Sequence, residues 1–309
     1  MEWVADYPQR LDAFLGARDF SRAAAQRLIR AGAVTVNGDV IKKPAHPVAD
    51  GDVVVLNEDA EVTNVAETSV QPVDLRLSVL FEDAACLVIN KPAGFAVHPA
   101  AAEKDTTILH GVAHLFAERS LPFSPGFILV HRLDKETTGC LLIAKDEASY
   151  MALQRQFKNR TVEKTYLAIV AGVPDPPAAT VDAPVGRNLT DRTRMSVLRT
   201  GVSREARTTY RTLSATTEAA LLRCDLHTGR THQIRVHLRA IGYPILGDTT
   251  YGSTQADRLA KQYGIESLCL HAWRLRFELP AGGTVINVEA PLPTAFQNAL
   301  NNVGLYFMA

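Results

Sequence analysis

The stretch Val130-His131-Arg132-Leu133-Asp134-Lys135-Glu136-Thr137-Thr138-Gly139 decides how the rest of the chain is read. It is polar, yet Gly126-Phe127-Ile128-Leu129 precedes it and Cys140-Leu141-Leu142-Ile143-Ala144 follows it. Both flanks are short, apolar and partly β-branched, so each predicts a buried strand, and the run between them predicts a loop ending at Gly139. Core strands fix such a loop while leaving it exposed, which suits chemistry. On this stretch alone Asp134 fits the role of nucleophile, of general base, or of one half of a salt bridge. A turn aspartate satisfied by backbone N–H groups fits equally well.

At 309 residues, 47% hydrophobic and 21% charged, the chain exceeds one ordinary domain and has the composition of a soluble globular protein. No apolar run approaches the roughly 18 residues of a membrane span, and Met1-Glu2-Trp3-Val4-Ala5-Asp6 has no signal-peptide pattern. Cys86, Cys140, Cys224 and Cys269 are far apart and make no paired metal or redox spacing, so buried thiols in a reducing compartment are expected. Cytoplasm is the expected location and a monomer the expected state.

Formal net charge is zero, but the charge is segregated. Residues 187–239 carry 11 Arg and no Lys against four acids, a net of +7. Residues 10–43 carry a net of +4, while residues 57–74 hold five acids and no base. Two basic segments separated by an acidic one predict localised contact with a polyanion.

Residues 8–56 predict a compact module. Arg10-Leu11-Asp12-Ala13-Phe14-Leu15 has helical spacing, and Ser21 starts a second helix through Gln26, Leu28 and Ile29. Val34 and Val36 alternate as a strand, Asn37-Gly38 signals a hairpin turn, and Gly51-Asp52-Val53-Val54-Val55-Leu56 closes a small sheet. This pattern resembles the S4 RNA-binding domain. The resemblance implies that Arg22, Arg27, Arg30, Lys42 and Lys43 face RNA phosphates, contacts that supply affinity and register rather than base reading. Residues 57–74 read as an acidic linker. Residues 75–309 read as one long unit, with helices over 107–120, 147–159 and from about Thr231, and strands at 86–89, 165–170, 207–210, 221–226, 268–277 and 285–288. Strands dominate without strict βαβ alternation, so an α+β fold with a mixed, mostly antiparallel central sheet is expected after the small α/β module.

Neither a phosphate-binding G-x-x-x-x-G-K-[ST] loop nor a dinucleotide-binding G-x-G-x-x-G follows a strand, and there is no nucleophile elbow. His227, His232 and His237 recur every five residues, a step that rotates about 140° around a helix and denies them a common face. No metal site is expected there. What remains is a lone carboxylate, many arginines, a strand tyrosine and an RNA-binding-like module.

This set resembles the RluA-type pseudouridine synthases, and among them the RluD-like members with an N-terminal S4 domain. The resemblance covers almost the whole chain. His131-Arg132-Leu133-Asp134 with Thr137 and Gly139 matches the family's catalytic signature, with Thr138 where Ser is usual. Val88-Ile89-Asn90-Lys91-Pro92-Ala93-Gly94, Lys164-Thr165-Tyr166, Gly229-Arg230-Thr231-His232-Gln233-Ile234-Arg235-Val236-His237 and Pro244-Ile245-Leu246-Gly247-Asp248 match further motifs in order. The resemblance implies the cofactor-independent isomerisation of uridine in RNA to pseudouridine. It implies that Asp134 is the essential carboxylate, that Arg230 is its ion-pair partner, and that Tyr166 lies against the uracil and helps remove the C5 proton. Ile234 would supply an apolar wall, Arg132 would hold the flipped nucleotide, and His131, Arg235 and the remaining arginines would contact RNA. A carboxylate in a water-excluding pocket is disfavoured in its charged form, and a paired arginine offsets that.

RluD-like members act on large-subunit ribosomal RNA, so ribosomal RNA is the expected partner, with transfer RNA as the alternative. Two rival classes were weighed. Asp134 and Glu136, about 7 Å apart on an extended strand, could be the paired acids of a glycoside hydrolase, but such enzymes cluster tryptophans and only Trp3 and Trp273 exist here. A non-catalytic RNA-binding ribosome-assembly factor would not need the set Asp134, Tyr166 and Arg230.

Overall fold

The computed structural model describes residues 1–309 except 19, 21, 58–69, 99–104, 192–193, 198–202 and 309, and the side chains of 22–24 and 27 are likewise outside the described set. The chain divides into two compact units, Met1–Val70 and Gln71–Ala309. Most of the acidic segment read as a linker falls outside the described residues.

The first unit contains β1 (Glu2–Val4), β2 (Gln9–Arg10), α1 (Leu11–Gly16), α2 (Arg22–Arg30), β3 (Val34–Val36), β4 (Asp39–Val40), β5 (Pro47–Val48) and β6 (Val53–Leu56). Its main sheet runs β1-β6-β3-β4. The core is built by Leu11, Phe14 and Leu15 of α1, Ala25 and Ile29 of α2, and the inward valines Val34, Val36 and Val54. Asp12 is buried, and its carboxylate accepts two bonds from Arg10 at 2.9 and 2.8 Å and one from Gln26 at 3.0 Å. The Arg-Leu-Asp start and the distant Gln26 are therefore one device that ties α1 to α2. Asn37 and Gly38 both take positive φ, 51° and 88°, the backbone a two-residue hairpin turn requires. Strand β1 was not foreseen, because three alternating residues with no flanking turn signal carry little pattern. Of the expected RNA-facing residues, Arg30, Lys42 and Lys43 are exposed. The side chains of Arg22 and Arg27 lie outside the described residues.

The second unit contains β7 (Ser78–Glu82), β8 (Cys86–Lys91), α3 (Ile108–Glu118), β9 (Thr138–Ala144), α4 (Glu147–Asn159), β10 (Glu163–Ala171), β11 (Ala178–Asp182), β12 (Val185–Arg187), β13 (Met195–Val197), β14 (Arg207–Ala215), β15 (Ala219–Leu226), α5 (Gln233–Ala240), α6 (Thr254–Gln262), β16 (Leu270–Glu278), β17 (Val285–Glu289) and α7 (Thr294–Val303). One sheet runs β11-β14-β15-β10-β16-β9-β8-β7, with β17 also on β16. Among the described residues the pair β9–β16 is parallel and every other pair in this sheet is antiparallel. The fold is therefore α+β with a mixed, mostly antiparallel sheet.

The centre of the sheet reads as continuous apolar sequence because it is covered on both faces. Every residue of β9 after Thr138 is buried. Cys140, Leu142 and Ala144 join Leu153 of α4 and Phe277 of β16 in one core cluster. One edge of β16 is divided, pairing first with β9 at His271 and Ala272 and then with β17 from Arg274 onward.

One flank of the decisive loop departs from expectation. Residues 126–129 are not a strand. Pro125 opens a 3-10 turn over Pro125–Phe127, where its fixed φ and missing N–H are tolerated. Leu129 alone bridges back to Ile143.

The other flank is pinned by Gly139. Its φ is +110°, and a Cβ built there would lie 2.2 Å from the Ala272 carbonyl oxygen. The parallel joint between β9 and β16 thus requires a residue without a side chain. Gly139→Ala is expected to lower the unfolding free energy by at least about 2 kcal/mol, from left-handed strain and the backbone clash together. Urea denaturation measures it. A variant within about 0.5 kcal/mol of the parent would mean the joint yields freely.

Candidate active site

Asp134 occupies a tight turn in which the Thr137 N–H donates to the Asp134 carbonyl at 3.1 Å. The turn is held from behind by Lys91 at the end of β8. Lys91 is fully buried, and its ammonium donates to the carbonyls of Pro92 (2.8 Å), Lys135 (2.8 Å) and Thr137 (2.9 Å). A buried charge is tolerable only when its hydrogen bonds are made, and all three N–H groups are used here. Burial pulls Lys91 down to about 8, with the Glu136 and Asp134 carboxylates opposing. A second tie runs from Thr138, whose hydroxyl lies 2.7 Å from His271 Nδ1. His271 Nε2 faces the Ala290 carbonyl at 3.2 Å. A carbonyl can only accept, so Nε2 carries the proton and Thr138 donates to Nδ1. Burial holds His271 near 4, which keeps this tautomer neutral. In the sequence Lys91 stands inside a motif, and nothing local marks it as buried.

From the front, Asp134 faces α5. Its Oδ2 accepts from Arg235 Nη1 at 3.3 Å. Arg235 also makes a two-point pair with Asp248, Nε to Oδ2 and Nη2 to Oδ1, both at 2.8 Å. Asp248 Oδ1 accepts further from the Thr250 and Tyr251 amides, each at 2.9 Å. Burial opposes the charge of both groups, yet Asp248 is held below the usual carboxylate range by Arg235 and those amides, and Arg235 is raised by Asp248 and Asp134.

The expected partner Arg230 does not pair with Asp134. Helix α5 begins at Gln233, so Arg230 belongs to the preceding loop and the helical phase brings Arg235 round to the carboxylate. Arg230 instead donates through Nε to the Glu205 carbonyl at 3.0 Å. Burial and the neighbouring Arg204 and Arg160 lower it.

His232 was also missed. It sits just before α5 with φ 55°, a left-handed conformation that is uncommon for a non-glycine residue. Its Nε2 lies 3.9 Å from Asp134 Oδ1, and its Nδ1 lies 2.8 Å from the Tyr251 hydroxyl. That hydroxyl accepts the Met195 amide at 2.8 Å, which leaves its own proton for His232 Nδ1. The imidazole N–H then sits at Nε2, on the side of Asp134.

Tyr166 projects from β10 and is 7% exposed. Burial, with Asp134 and Cys140 nearby, pushes its phenol well above the ordinary value, so it stays protonated at neutral pH. Tyr166, Ile234, Leu133 and Leu270 line a small cavity of about 90 Å³ over Asp134. This adjoins a larger one of about 380 Å³, and Arg132, Tyr166 and Arg230 border both. Arg132 is exposed at their common rim. His131, expected to meet RNA, is half-buried on the wall of the larger cavity. Its Nε2 accepts the Leu142 amide at 2.9 Å and its ring stacks on Phe157 at 4.8 Å. It covers an N–H on the edge of β9 that no strand pairs, and burial beside Lys164 holds it near 3.

The model for RNA pseudouridylate synthase matches residues 85–240, and that for the S4 domain matches residues 9–54. The chain belongs to the RNA pseudouridylate synthase family. It is 38% identical to the ribosomal large subunit pseudouridine synthase D of Vibrio cholerae over 92% of this chain and 88% of that protein. It is 34% identical to the chloroplastic RNA pseudouridine synthase 2 of Arabidopsis thaliana over 92% of this chain and 78% of that one. Among solved structures it resembles the human RNA pseudouridylate synthase domain containing 4, with a TM-score of 0.61 and 32% identity over 74% of this chain and 94% of that chain. The protein is an RNA pseudouridine synthase with an S4 domain.

Lys91 gives this site a direct test. Lys91→Met in the synthase leaves three inward carbonyls without a donor, and is expected to cost about 3 kcal/mol or more of stability. Residual folded enzyme should turn over at least about tenfold more slowly, because the turn that carries Asp134 loses its support. Denaturant titration and single-turnover rates measure the two effects. Unchanged rates in folded Lys91→Met would sink the clamp.

Proposed function

We propose that this synthase modifies uridines of large-subunit ribosomal RNA, and that Asp134 carries the chemistry with Arg235, not Arg230, as its ion-pair partner. The observation that carries the reading is the position of Asp134. It is 17% exposed beneath a cavity walled in part by Tyr166, Ile234, Leu133 and Leu270, and it is held by an arginine that a second carboxylate orients.

Pseudouridine formation rearranges one nucleotide without gain or loss of atoms. The bond from the ribose to uracil N1 breaks, the uracil turns, a bond from C5 to the same ribose carbon forms, and C5 gives up a proton while N1 takes one. A duplexed or stacked uridine must first leave its stack, and Arg132 at the rim is placed to hold the extruded nucleotide. Asp134 acts in its ionised form, as nucleophile on the ribose or as base during glycosidic cleavage. Both begin from the same carboxylate, and Arg235 supports its charge in either. Tyr166 meets the uracil as a neutral phenol. Together with Ile234 it offers a wall against which the detached ring turns without escaping to water.

The large-subunit ribosomal RNA assignment draws on the Vibrio cholerae relative, whose name states that substrate. Pseudouridine mapping of total RNA with and without this gene tests it, and loss confined to transfer RNA would overturn it. Asp134→Asn is expected to reduce product to background with RNA affinity within about twofold, since the amide keeps the shape of the carboxylate and phosphate contacts elsewhere carry most of the affinity. Arg235→Met should lower kcat by about 100-fold or more, whereas Arg230→Met should act on KM. The reverse split would restore Arg230 as the partner.

The S4 unit would hold RNA through phosphate contacts. Replacing Arg30, Lys42 and Lys43 by Gln in the full chain should reduce the slope of log affinity against log salt by about 2. An unaltered slope would mean that these exposed cations do not touch the backbone.

A further inference from the structure

Beside the catalytic cavity lies the larger one of about 380 Å³, which borders Arg132, Lys158, Arg160, Lys164 and Arg230 and no carboxylate among its described lining. These cations do not come from one basic run. Lys158 closes α4, Arg160 follows that helix, Lys164 projects from β10, and Arg230 stands in the loop before α5. Arg160 is held there with φ 60°, another left-handed non-glycine residue.

Like charges gathered in a concave place repel one another and favour an anion between them. Burial and Arg160 draw Lys164 down to about 8, and no carboxylate opposes this. Arg160 and Arg204 lower Arg230 further than burial alone. The acid in contact with Arg160 is Glu205 at 3.6 Å, which is itself 85% exposed and lies outside the cavity lining. The catalytic web does not use these groups, because Asp134 is paired by Arg235. Of the rings that border the cavity, Phe157 is already engaged by His131 and Lys164, and Tyr166 is shared with the smaller cavity over Asp134. What the cavity offers is an excess of positive charge, opposed only by the exposed Glu205 outside its lining, next to the reacting centre.

We infer that this cavity is a phosphate-binding subsite, in which Arg160, Lys164 and Arg230 grip one backbone phosphate of the RNA immediately beside the flipped uridine. This rests on the reading of Asp134 as the reacting group, and adds to it a phosphate contact made within the active-site cleft. Such a contact fixes register without reading sequence. It holds the strand while the detached uracil turns.

The test uses the full-length protein and short RNAs that contain a modified uridine, each with a single uncharged methylphosphonate at one linkage near that uridine. Lys164→Gln and Arg160→Gln should each weaken binding of the unmodified RNA about tenfold, with kcat changed less than about threefold. At one flanking linkage the methylphosphonate should weaken wild-type binding by a similar factor and remove the difference between wild type and variants. Lys164→Arg should restore affinity, since it keeps the charge. Added inorganic phosphate should compete with the unmodified RNA, and less so with the RNA neutral at that linkage. The inference is overturned if the variants lose the same factor on every methylphosphonate RNA, or if their affinity is unchanged. Binding is read separately from turnover, so a failure of the pseudouridine reading, seen as no product from the wild type on any RNA, is distinguishable from a failure of the subsite.

Discussion

Arg235 carries one positive charge and faces two carboxylates, and it treats them differently. Asp248 receives two short parallel bonds, the strongest geometry a guanidinium can offer. Asp134 receives a single longer one, 3.3 Å from Nη1. The asymmetry suits the proposed role of Asp134, because a reacting carboxylate must not be consumed by its partner. Asp248 is the structural half of the device. It is buried, satisfied by two backbone amides as well as by Arg235, and it fixes the guanidinium so that Nη1 reaches forward. A lone buried Arg235 would be costly, and a two-way pair with Asp134 alone would close the site to substrate.

The opposite side of Asp134 rests mainly on hydrogen bonds to the main chain. Lys91 spends its donors on three main-chain carbonyls, Thr138 reaches His271, and Gly139 lets β9 approach β16 at Ala272. These contacts come from β8, β9 and β16, adjacent strands whose residues near the turn are mostly buried. Asp134 is therefore suspended between a rigid sheet that sets its backbone and a helix that sets its charge. His232 and Tyr251 add a third support, which reaches β13 through the Met195 amide.

Local patterns made parts of this legible beforehand. The apolar run of β9, the Asn37-Gly38 turn, the span of α4 and the mixed character of the sheet each follow from periodicity or from residues with one dominant backbone preference. Asp134, Tyr166 and Ile234 came together through the order of motifs. The misreadings share a physical cause, since they concern where polar side chains point. Choosing between Arg230 and Arg235 requires the first residue of α5, and boundaries are the least determined feature of a helix. Lys91 looks in sequence like any lysine after a strand, and only the closing of the turn around it shows that its charge is buried. His131 reads as a functional neighbour of Asp134, while in the fold its ring also accepts the Leu142 amide and stacks on Phe157.

Charge counting met the same limit. The net of +7 over residues 187–239 suggests a uniform basic face. In the folded chain Arg235 is tied to carboxylates within the core, Arg223 lies against Asp225 and Arg194 against Asp191. Those arginines stabilise the protein or its loops and offer little to a ligand. The positive charge gathered in one place is narrower, and part of it comes from outside the segment, from Arg132, Lys164 and Arg160, the last of which also meets the exposed Glu205, and these join Arg230 around one cavity. Affinity for a polyanion depends on how many positive groups remain unpaired and face the same way, and that number is set by tertiary pairing. A segment total can suggest that such a place exists. Where it lies follows only from knowing which cations the fold has already claimed.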